Sequence, residues 1–274
     1  MKSYLTLLLA ACAASAFSQQ INVPKNKEFE IKRSIKDIGT YKTDEEYVYA
    51  LKSLGKNAEG NSVFECKIVK VLIKDANAPG GILINTDSIR KTNFNNSVVL
   101  LPLAIINQPF TVTLSTKGKV LNISDRSELL KQRMEGWKID PELQSHVYAN
   151  AGGAFEASIQ QLFLEFPDQK LAATSEWKPQ NSDVPFKVIS SRGGSMIIKS
   201  TKTEENGTMS DRKYVVNAQT GMVENSITIS KGTYNGVVGA PANTVYNQTL
   251  MQKLVPRMVR KEVDTAWIDM AAKM

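Results

Sequence analysis

Few residues in this sequence combine the type and the spacing that catalysis requires. The chain has a single histidine, His146, which lies between Gln144 and Tyr148 in a stretch that we predict to be helical. Histidine is the side chain whose ordinary pKa suits base chemistry at neutral pH, so a Ser-His-Asp triad would have to use it. No G-x-S-x-G nucleophile elbow is present. We therefore interpret His146 as an exposed or structural residue.

The motifs of metal and cofactor sites are missing as well. One histidine cannot make an H-E-x-x-H zinc site, and the sequence contains no C-x-x-C pair. Gly152 and Gly153 precede an apolar stretch, but they lack the Lys-Ser/Thr of a P-loop and the glycine spacing of a dinucleotide site. We predict no catalytic residue, no metal site and no cofactor.

Two adjacent acid pairs and one cysteine are the remaining candidates for chemistry. Glu45 and Glu46 lie in a predicted strand, where neighbours point to opposite faces, so they cannot converge on one glycosidic bond. Glu204 and Glu205 adjoin Asn206-Gly207 and are typical of a solvated turn. Cys66 shares a predicted strand face with apolar residues, which indicates a small buried side chain and not a reactive thiol.

The charge of the chain is moderately basic. Lys and Arg number 34 against 27 Asp and Glu, which gives a formal net charge of +7. The basic residues are scattered, with modest clusters such as Arg257, Arg260 and Lys261, and no aromatic residues are interleaved in a nucleic-acid-binding pattern. We predict no nucleic-acid partner and a solvated basic surface, and attraction to anionic envelope lipids or acidic glycans stays open.

The N-terminus has the pattern of an export signal. Lys2 precedes an uncharged, mostly apolar stretch, and Ala16 and Ser18 supply the small residues required before a cut ahead of Gln19. We predict a signal peptide over residues 1–18, a single domain over residues 19–274, and a periplasmic or secreted protein. The alternative is a membrane-anchored lipoprotein, because Leu9-Ala10-Ala11-Cys12 resembles a lipobox that would lipidate Cys12.

Strand-period alternation dominates the rest of the chain. In the segment 63–74 the apolar face shifts by one residue after Ile68, which predicts a β-bulge. Turn sequences at Lys117-Gly118-Lys119, at Arg192-Gly193-Gly194 and at residues 217–221 predict antiparallel hairpins. Residues 245–254 are a further candidate strand.

Helical signals lie in the centre of the chain and at its end. We expect helices over residues 125–136 and near residues 262–273. A further helix is expected to begin at Asp140-Pro141, because aspartate is a common N-cap and proline is favoured at the first helical position. Between residues 151 and 166 an apolar stripe at helical spacing predicts a helix that Pro167 ends. The apolar run 98–106 is a buried segment whose type the pattern does not determine.

These elements predict an α+β fold in which a curved antiparallel sheet or half-barrel packs around central helices. The apolar stripe is the strong helical partner for the sheet, so a cavity could lie between helix and sheet. The candidate lining residues are Leu100, Leu103, Ile106, Phe155, Ile159, Leu162, Phe163 and Phe166. The alternative is that these side chains fill an ordinary hydrophobic core and leave no cavity.

Several of these features together resemble a known family. They are the export signal, the early strands, the run from Phe110 to Val120, the segment Leu162–Pro167 and Trp177. In this combination they resemble an uncharacterised family of exported Gram-negative, β-rich proteins, a domain of unknown function. The architecture is also similar to the curved-sheet lipid and lipoprotein carriers of the bacterial envelope. The resemblance implies no catalytic residues.

Our leading hypothesis is therefore an exported, non-enzymatic envelope protein. Its partner would be an apolar small molecule, a lipid or a segment of an envelope protein, held between sheet and helices. One alternative is a carboxylate-dependent hydrolase of envelope or glycan substrates, which needs two carboxylates brought together by the fold. A second is a structural or assembly factor that presents a sheet edge.

Overall fold

The computed structural model describes residues 19–40, 42–88, 94, 97–179, 184–203, 209–234, 244–260, 263 and 265–272. Its strands are β1 (Glu28–Asp37), β2 (Thr43–Lys56), β3 (Ser62–Asp75), β4 (Ile82–Asn85), β5 (Phe110–Leu114), β6 (Val120–Ile123), β7 (Glu176–Trp177), β8 (Phe186–Arg192), β9 (Ser195–Thr203), β10 (Met209–Asn217), β11 (Val223–Tyr234) and β12 (Thr244–Pro256). Its helices are α1 (Ser97–Ile105), α2 (Ser127–Gly136), α3 (Pro141–Gly152), α4 (Ala154–Gln160) and α5 (Thr265–Ala271), with a 3-10 turn at Pro79–Gly81.

The strands form one open, curved antiparallel sheet. Their order is β6-β5-β3-β2-β1-β12-β11-β10-β9-β8-β7, and β4 pairs with β3 beside this path. Most neighbours in the sheet are also neighbours in the chain, joined by the short turns that the sequence predicts. The pairing of β1 with β12 joins the first half of the sheet to the second half. The predicted α+β class is confirmed.

The predicted bulge lies in β3. Val48 pairs with Lys70 while the next residue of β2, Tyr49, pairs with Ile68, so Val69 is the extra residue. The insertion shifts the strand by one residue, and Val71 then faces the core as Ile68 does before it. The long strand can therefore follow the curvature of the sheet with one continuous buried face.

The core fills the inner side of the first half of the sheet and continues over β7 to β9 at the other end. Phe155 of α4 packs edge-on against Phe110 of β5, with ring centroids 5.5 Å apart. Phe163 lies 6.1 Å from Phe64 of β3, which in turn contacts Phe29 of β1. Helices α1 to α4 thus cover β1, β2, β3 and β5 from inside.

The apolar run 98–106 is helical over most of its length. Helix α1 contains Pro102, and the side chains of Leu100, Leu103 and Ile105 are almost fully buried. A helix that is buried on every side has no amphipathic period, which explains why the pattern did not determine its type.

The prediction that the central helix continues to Phe166 is wrong. α3 ends at Gly152, Gly153 separates it from α4, and α4 ends at Gln160. Residues 162–166 run beside the sheet instead, where the Phe166 N–H donates to the carbonyl of Lys117 at 2.8 Å. Hydrogen bonds from the sheet and its turns replace those that further helix would have supplied.

The first described residues tie two hairpin turns together. The Ile21 N–H donates to the Thr116 carbonyl, and the Asn22 N–H donates to the Thr220 carbonyl, both at 2.9 Å. Ile21 is buried in the core between them. This segment therefore links the first half of the sheet to the second half on the inner side.

Candidate functional site

A cavity of about 740 Å³ lies on the inner side of the second half of the sheet. One wall is formed by inward side chains of β10, β11 and β12, which the pairing register places side by side: Arg212 with Thr228, and Thr228 with Leu250. The main lining residues of this wall are Arg212, Tyr214, Ser226, Thr228, Ser230, Gln248 and Leu250.

The opposite wall is α4 and the extended segment 162–166. Gln252 of β12 donates its side-chain amide to the Leu162 carbonyl at 3.0 Å, and the Trp177 indole donates to the Glu165 carbonyl at 3.0 Å. With the hydrogen bond between Phe166 and Lys117, these contacts hold the segment at both of its edges. The cavity therefore has a fixed second wall and not a free loop.

Strands β11 and β12 have inverted polarity compared with the first half of the sheet, whereas β8 and β9 keep a buried apolar inner face. In β11 the polar residues Ser226, Thr228 and Ser230 face the cavity, while Ile227 and Ile229 face outward. In β12 Gln252 faces inward and is buried, whereas Met251 beside it is exposed. A strand that only covered a core would show the reverse arrangement.

The cavity lining carries a positive charge. Arg33, Lys119, Lys202 and Arg212 line it, and Glu165 is the one carboxylate among the described lining residues. Side chains of one sign around a concave surface focus their field into it and attract a ligand of the opposite sign. The cavity is thus suited to an anionic group.

Arg33 is the most enclosed of these cations. It is 6% exposed, and its guanidinium donates to Gln161 Oε1 at 2.7 Å and to the Ser158 carbonyl at 3.2 Å. Its Nε atom is buried and has no hydrogen-bond partner among the described residues. Arg33 therefore fixes α4 to the sheet and has one donor left unused.

A partly buried pair of polar side chains adjoins Arg33. The hydroxyl of Tyr47 donates to Glu45 Oε2 at 3.1 Å. Burial raises the pKa of the Glu45 carboxyl, against the opposing effects of the Tyr47 hydrogen bond and of Arg33. Burial likewise raises the pKa of the Tyr214 phenol inside the cavity, which Arg212 opposes.

The other residues considered for chemistry do not line the cavity. Glu45 faces inward, while Glu46 points outward and binds Lys70 Nζ at 3.1 Å, so the acid pair is divided between two faces as predicted. His146 is exposed on α3. Cys66 is fully buried, and burial raises the pKa of its thiol, which disfavours the thiolate.

In the part of the chain that the structure describes, no group of three or more His, Cys, Asp or Glu is placed to hold a metal ion. Glu204 and Glu205 lie outside the described residues. None of the helices in the described ranges is both long and apolar enough to span a bilayer.

The eight predicted lining residues divide between cavity and core. Phe163 lines the cavity. The other seven belong to the core and are at most 6% exposed: Leu100, Leu103, Ile106, Phe155, Ile159, Leu162 and Phe166. Sequence reasoning missed the inward polar residues of β10 to β12, because alternation shows two faces without showing which of them is inside.

The predicted cleavage site is described on one side only. Ser18 lies outside the described residues, whereas Gln19 is 1% exposed. Its side-chain amide donates to the Asn217 carbonyl at 3.2 Å. The first residue of the predicted mature chain is therefore built into the fold.

Comparison with solved structures finds the same kind of fold elsewhere. Lipovitellin, in a structure concerned with lipid–protein interactions, is 10% identical in sequence, with a TM-score of 0.52. The aligned region covers 88% of this chain and 27% of lipovitellin, so the chain spans about a quarter of that protein. At this identity the likeness shows the fold alone.

A LolA superfamily protein from Nitrosomonas europaea also aligns, at 10% identity, over 89% of this chain and 91% of the other. Its TM-score is 0.18, which is too low to show a shared fold. No curated protein matches the chain in sequence.

A protein family does match the chain over residues 60–192, slightly less than half of its length. The family is described as one of unknown function. Of the features that carried the predicted resemblance, the run from Phe110 to Val120, the segment from Leu162 to Pro167 and Trp177 fall inside this range, whereas the export signal and the first strands precede it. The predicted resemblance to a domain of unknown function is thus confirmed, and the family that this segment matches is DUF6263.

Proposed function

We propose that this protein is an exported, non-enzymatic binding protein that holds a lipid-like amphipathic molecule with an anionic group in the cavity between sheet and helices. The observation that carries the proposal is the inverted polarity of β11 and β12, which together with Arg212 of β10 lines a half-open space with cations and hydroxyls. Side chains of this kind gain nothing from facing inward unless water or a ligand contacts them.

The size of the cavity suits a small molecule. Cavities that bind such ligands have volumes of about 300 to 1,000 Å³, and the volume here is about 740 Å³. Phe163, Leu164 and Phe186 supply apolar surface at the helical wall and at β8. An acyl chain could lie against these side chains while its headgroup faces the arginines.

Two buried polar atoms support an occupant with hydrogen-bonding capacity. Arg33 Nε and Ser200 Oγ have no partner among the described residues. Ser200 pairs in register with Arg212 and lies on the same side of the sheet. An unpaired buried donor costs about 1–3 kcal/mol, so a bound polar group or water there would stabilise the fold.

The fold likeness to lipovitellin is compatible with this proposal, because that protein's structure concerns lipid–protein interactions. Export is part of the proposal and depends on the N-terminal pattern of Lys2, Ala16 and Ser18. The hydrolase alternative finds less support, since Glu165 is the one carboxylate among the described lining residues.

A binding assay with matched ligands tests the charge requirement. We expect a fluorescent long-chain fatty acid to bind, and the fatty alcohol of equal chain length to compete much less well. Arg212→Gln should weaken fatty-acid binding about tenfold, which is the typical value of one charged hydrogen bond. Arg192→Gln, at the exposed end of β8, is the control and should bind normally. Equal binding of acid and alcohol would contradict the proposed anionic group.

A second pair of variants tests the position of the ligand. Thr228→Trp places a large side chain inside the cavity, whereas Thr249→Trp places it on the outer face of the neighbouring strand. We expect the first to abolish binding and the second to leave it unchanged. Native mass spectrometry of the protein from its own cells should show an added lipid mass that Thr228→Trp removes. Retention of that mass by the variant would refute the proposed site.

A further inference from the structure

The outer face of the second half of the sheet carries a group of lysines that the cavity does not use. Its members, which we name the outer lysine face, are Lys32, Lys187, Lys199, Lys213 and Lys253. The register brings Lys187, Lys199 and Lys213 directly opposite one another across β8, β9 and β10. Lys32 of β1 and Lys253 of β12 are likewise opposite.

This arrangement is electrostatically unfavourable for an isolated fold. Like charges directly opposite on a sheet destabilise it, and their Cβ atoms lie about 5 Å apart. None of the five lysines forms a salt bridge with any of the described carboxylates. The repulsion is therefore not relieved within the described part of the molecule.

Carboxylates occur at the margins of the face. At one margin, Glu176 of the edge strand β7 lies opposite Lys187. At the other margin, Glu46 of β2 pairs with Ser34 of β1 and forms a salt bridge with Lys70. In the next row of the sheet Asp211 accepts a hydrogen bond from the Thr201 hydroxyl at 2.6 Å. The central part of the face keeps its positive charge.

Apolar side chains lie between the lysines. Ile227 pairs with Lys213 and with Met251, and Val215 is beside them on β10. Met251 is 48% exposed. Together with Lys32, Lys213 and Lys253 these residues line a shallow groove of about 600 Å³ on the outer surface.

We infer that the outer lysine face docks on the anionic surface of a lipid bilayer, with the side chains between the lysines entering the headgroup layer. The face extends over six neighbouring strands, about 24 Å at the usual strand spacing, which is broader than a single headgroup site. Its cations are all lysine. The lysine ammonium is a compact charge on a flexible stem, so it suits contact with many phosphate groups better than bidentate hydrogen bonding to one carboxylate. Exposed apolar residues among cations are typical of peripheral membrane contact.

This inference does not depend on the proposed ligand. The five lysines line no part of the cavity; Arg33 and Ser226 border both the cavity and the outer groove, whereas Arg212 and Thr228 border the cavity and not the groove. Both sites can therefore be tested in one protein with separate variants.

Co-sedimentation of the processed protein with vesicles tests the inference. We expect binding to phosphatidylcholine vesicles that contain phosphatidylglycerol, weak binding to pure phosphatidylcholine, and loss of binding as salt concentration rises. Each lysine near an anionic surface contributes about a fivefold change in affinity, so three substitutions should weaken binding on the order of a hundredfold. The test variant is Lys199→Gln, Lys213→Gln and Lys253→Gln combined.

The control has the same net charge. It combines Lys56→Gln, Lys131→Gln and Lys170→Gln, which are exposed lysines of β2, α2 and the loop before β7. It should bind about as well as the unmodified protein, and so should Thr228→Trp, which blocks only the cavity. Equal losses in both triple variants, or equal binding to neutral vesicles, would overturn the inference, as would failure to bind anionic vesicles.

Discussion

Replacement of Gly118 by alanine should destabilise the protein through the wall of the cavity. Gly118 lies in the turn between β5 and β6 at φ +86°, a conformation that residues with a side chain rarely adopt. A Cβ atom there would overlap the carbonyl oxygen of Leu164 and contact Ile21 Cδ1 at 3.5 Å. The segment 162–166 would have to move away from the turn.

The magnitude follows from two contributions. Alanine at positive φ costs about 1 kcal/mol. Displacing Leu164 strains the neighbouring hydrogen bonds, Phe166 N–H to Lys117 at 2.8 Å and the Trp177 indole to Glu165 at 3.0 Å, and each contributes about 1 kcal/mol. The free energy of unfolding should therefore fall by about 3 kcal/mol.

Gly60→Ala separates the two contributions. Gly60 lies in the turn before β3 at φ +80°, and a Cβ atom there would meet nothing within 4 Å. It should cost only the backbone part, about 1 kcal/mol. Urea denaturation followed by tryptophan fluorescence measures both variants. A loss for Gly118→Ala no greater than that for Gly60→Ala would refute the reasoning about the cavity wall.

Three further results are expected. Glu30 is buried, and although burial opposes its ionisation, hydrogen bonds from Arg260, the Met258 N–H and Arg257 hold the pKa of its carboxyl below the ordinary value. The resulting stabilisation is complete above the ordinary glutamate pKa and is lost as pH falls through the lowered pKa of Glu30. Glu30→Gln should therefore lower the free energy of unfolding by about 2 kcal/mol at neutral pH and by less in acid. Urea denaturation at neutral and at acidic pH measures the difference. Cys66 should resist alkylation in the native protein and react once urea unfolds it, because burial raises the pKa of its thiol; mass spectrometry that shows fast native labelling would contradict this. N-terminal sequencing of exported protein should begin at the residue after Ser18, whereas a diacylated Cys12 would support the lipoprotein alternative.

Local signals in the sequence predicted much of the fold. Asp140 caps α3 by accepting the Glu142 N–H at 2.9 Å, and proline follows it as the pattern indicated. The turn at Lys117-Gly118-Lys119 joins β5 to β6, and the shift of alternation after Ile68 marks the bulge. Each of these features depends on a few consecutive residues, so sequence alone can specify it.

Other features depended on distant partners. The stripe from Phe155 to Phe166 is buried as predicted, but its last residues leave the helix because Lys117 and Gln252 supply hydrogen bonds to them from the sheet. Helical spacing could not reveal these partners, which are far from the stripe in the chain.

The candidate cavity was the feature that only the tertiary structure decided. In Ser226-Ile227-Thr228-Ile229-Ser230 the sequence by itself determined that polar and apolar side chains alternate between two faces. It could not determine which face is inside, because both registers of a strand satisfy the same period. The helices pack mainly on the first half of the curved sheet, so β11 and β12 can turn their hydroxyls and amides inward around the cavity, beside Arg212 of β10, and Ile227, Ile229 and Met251 outward.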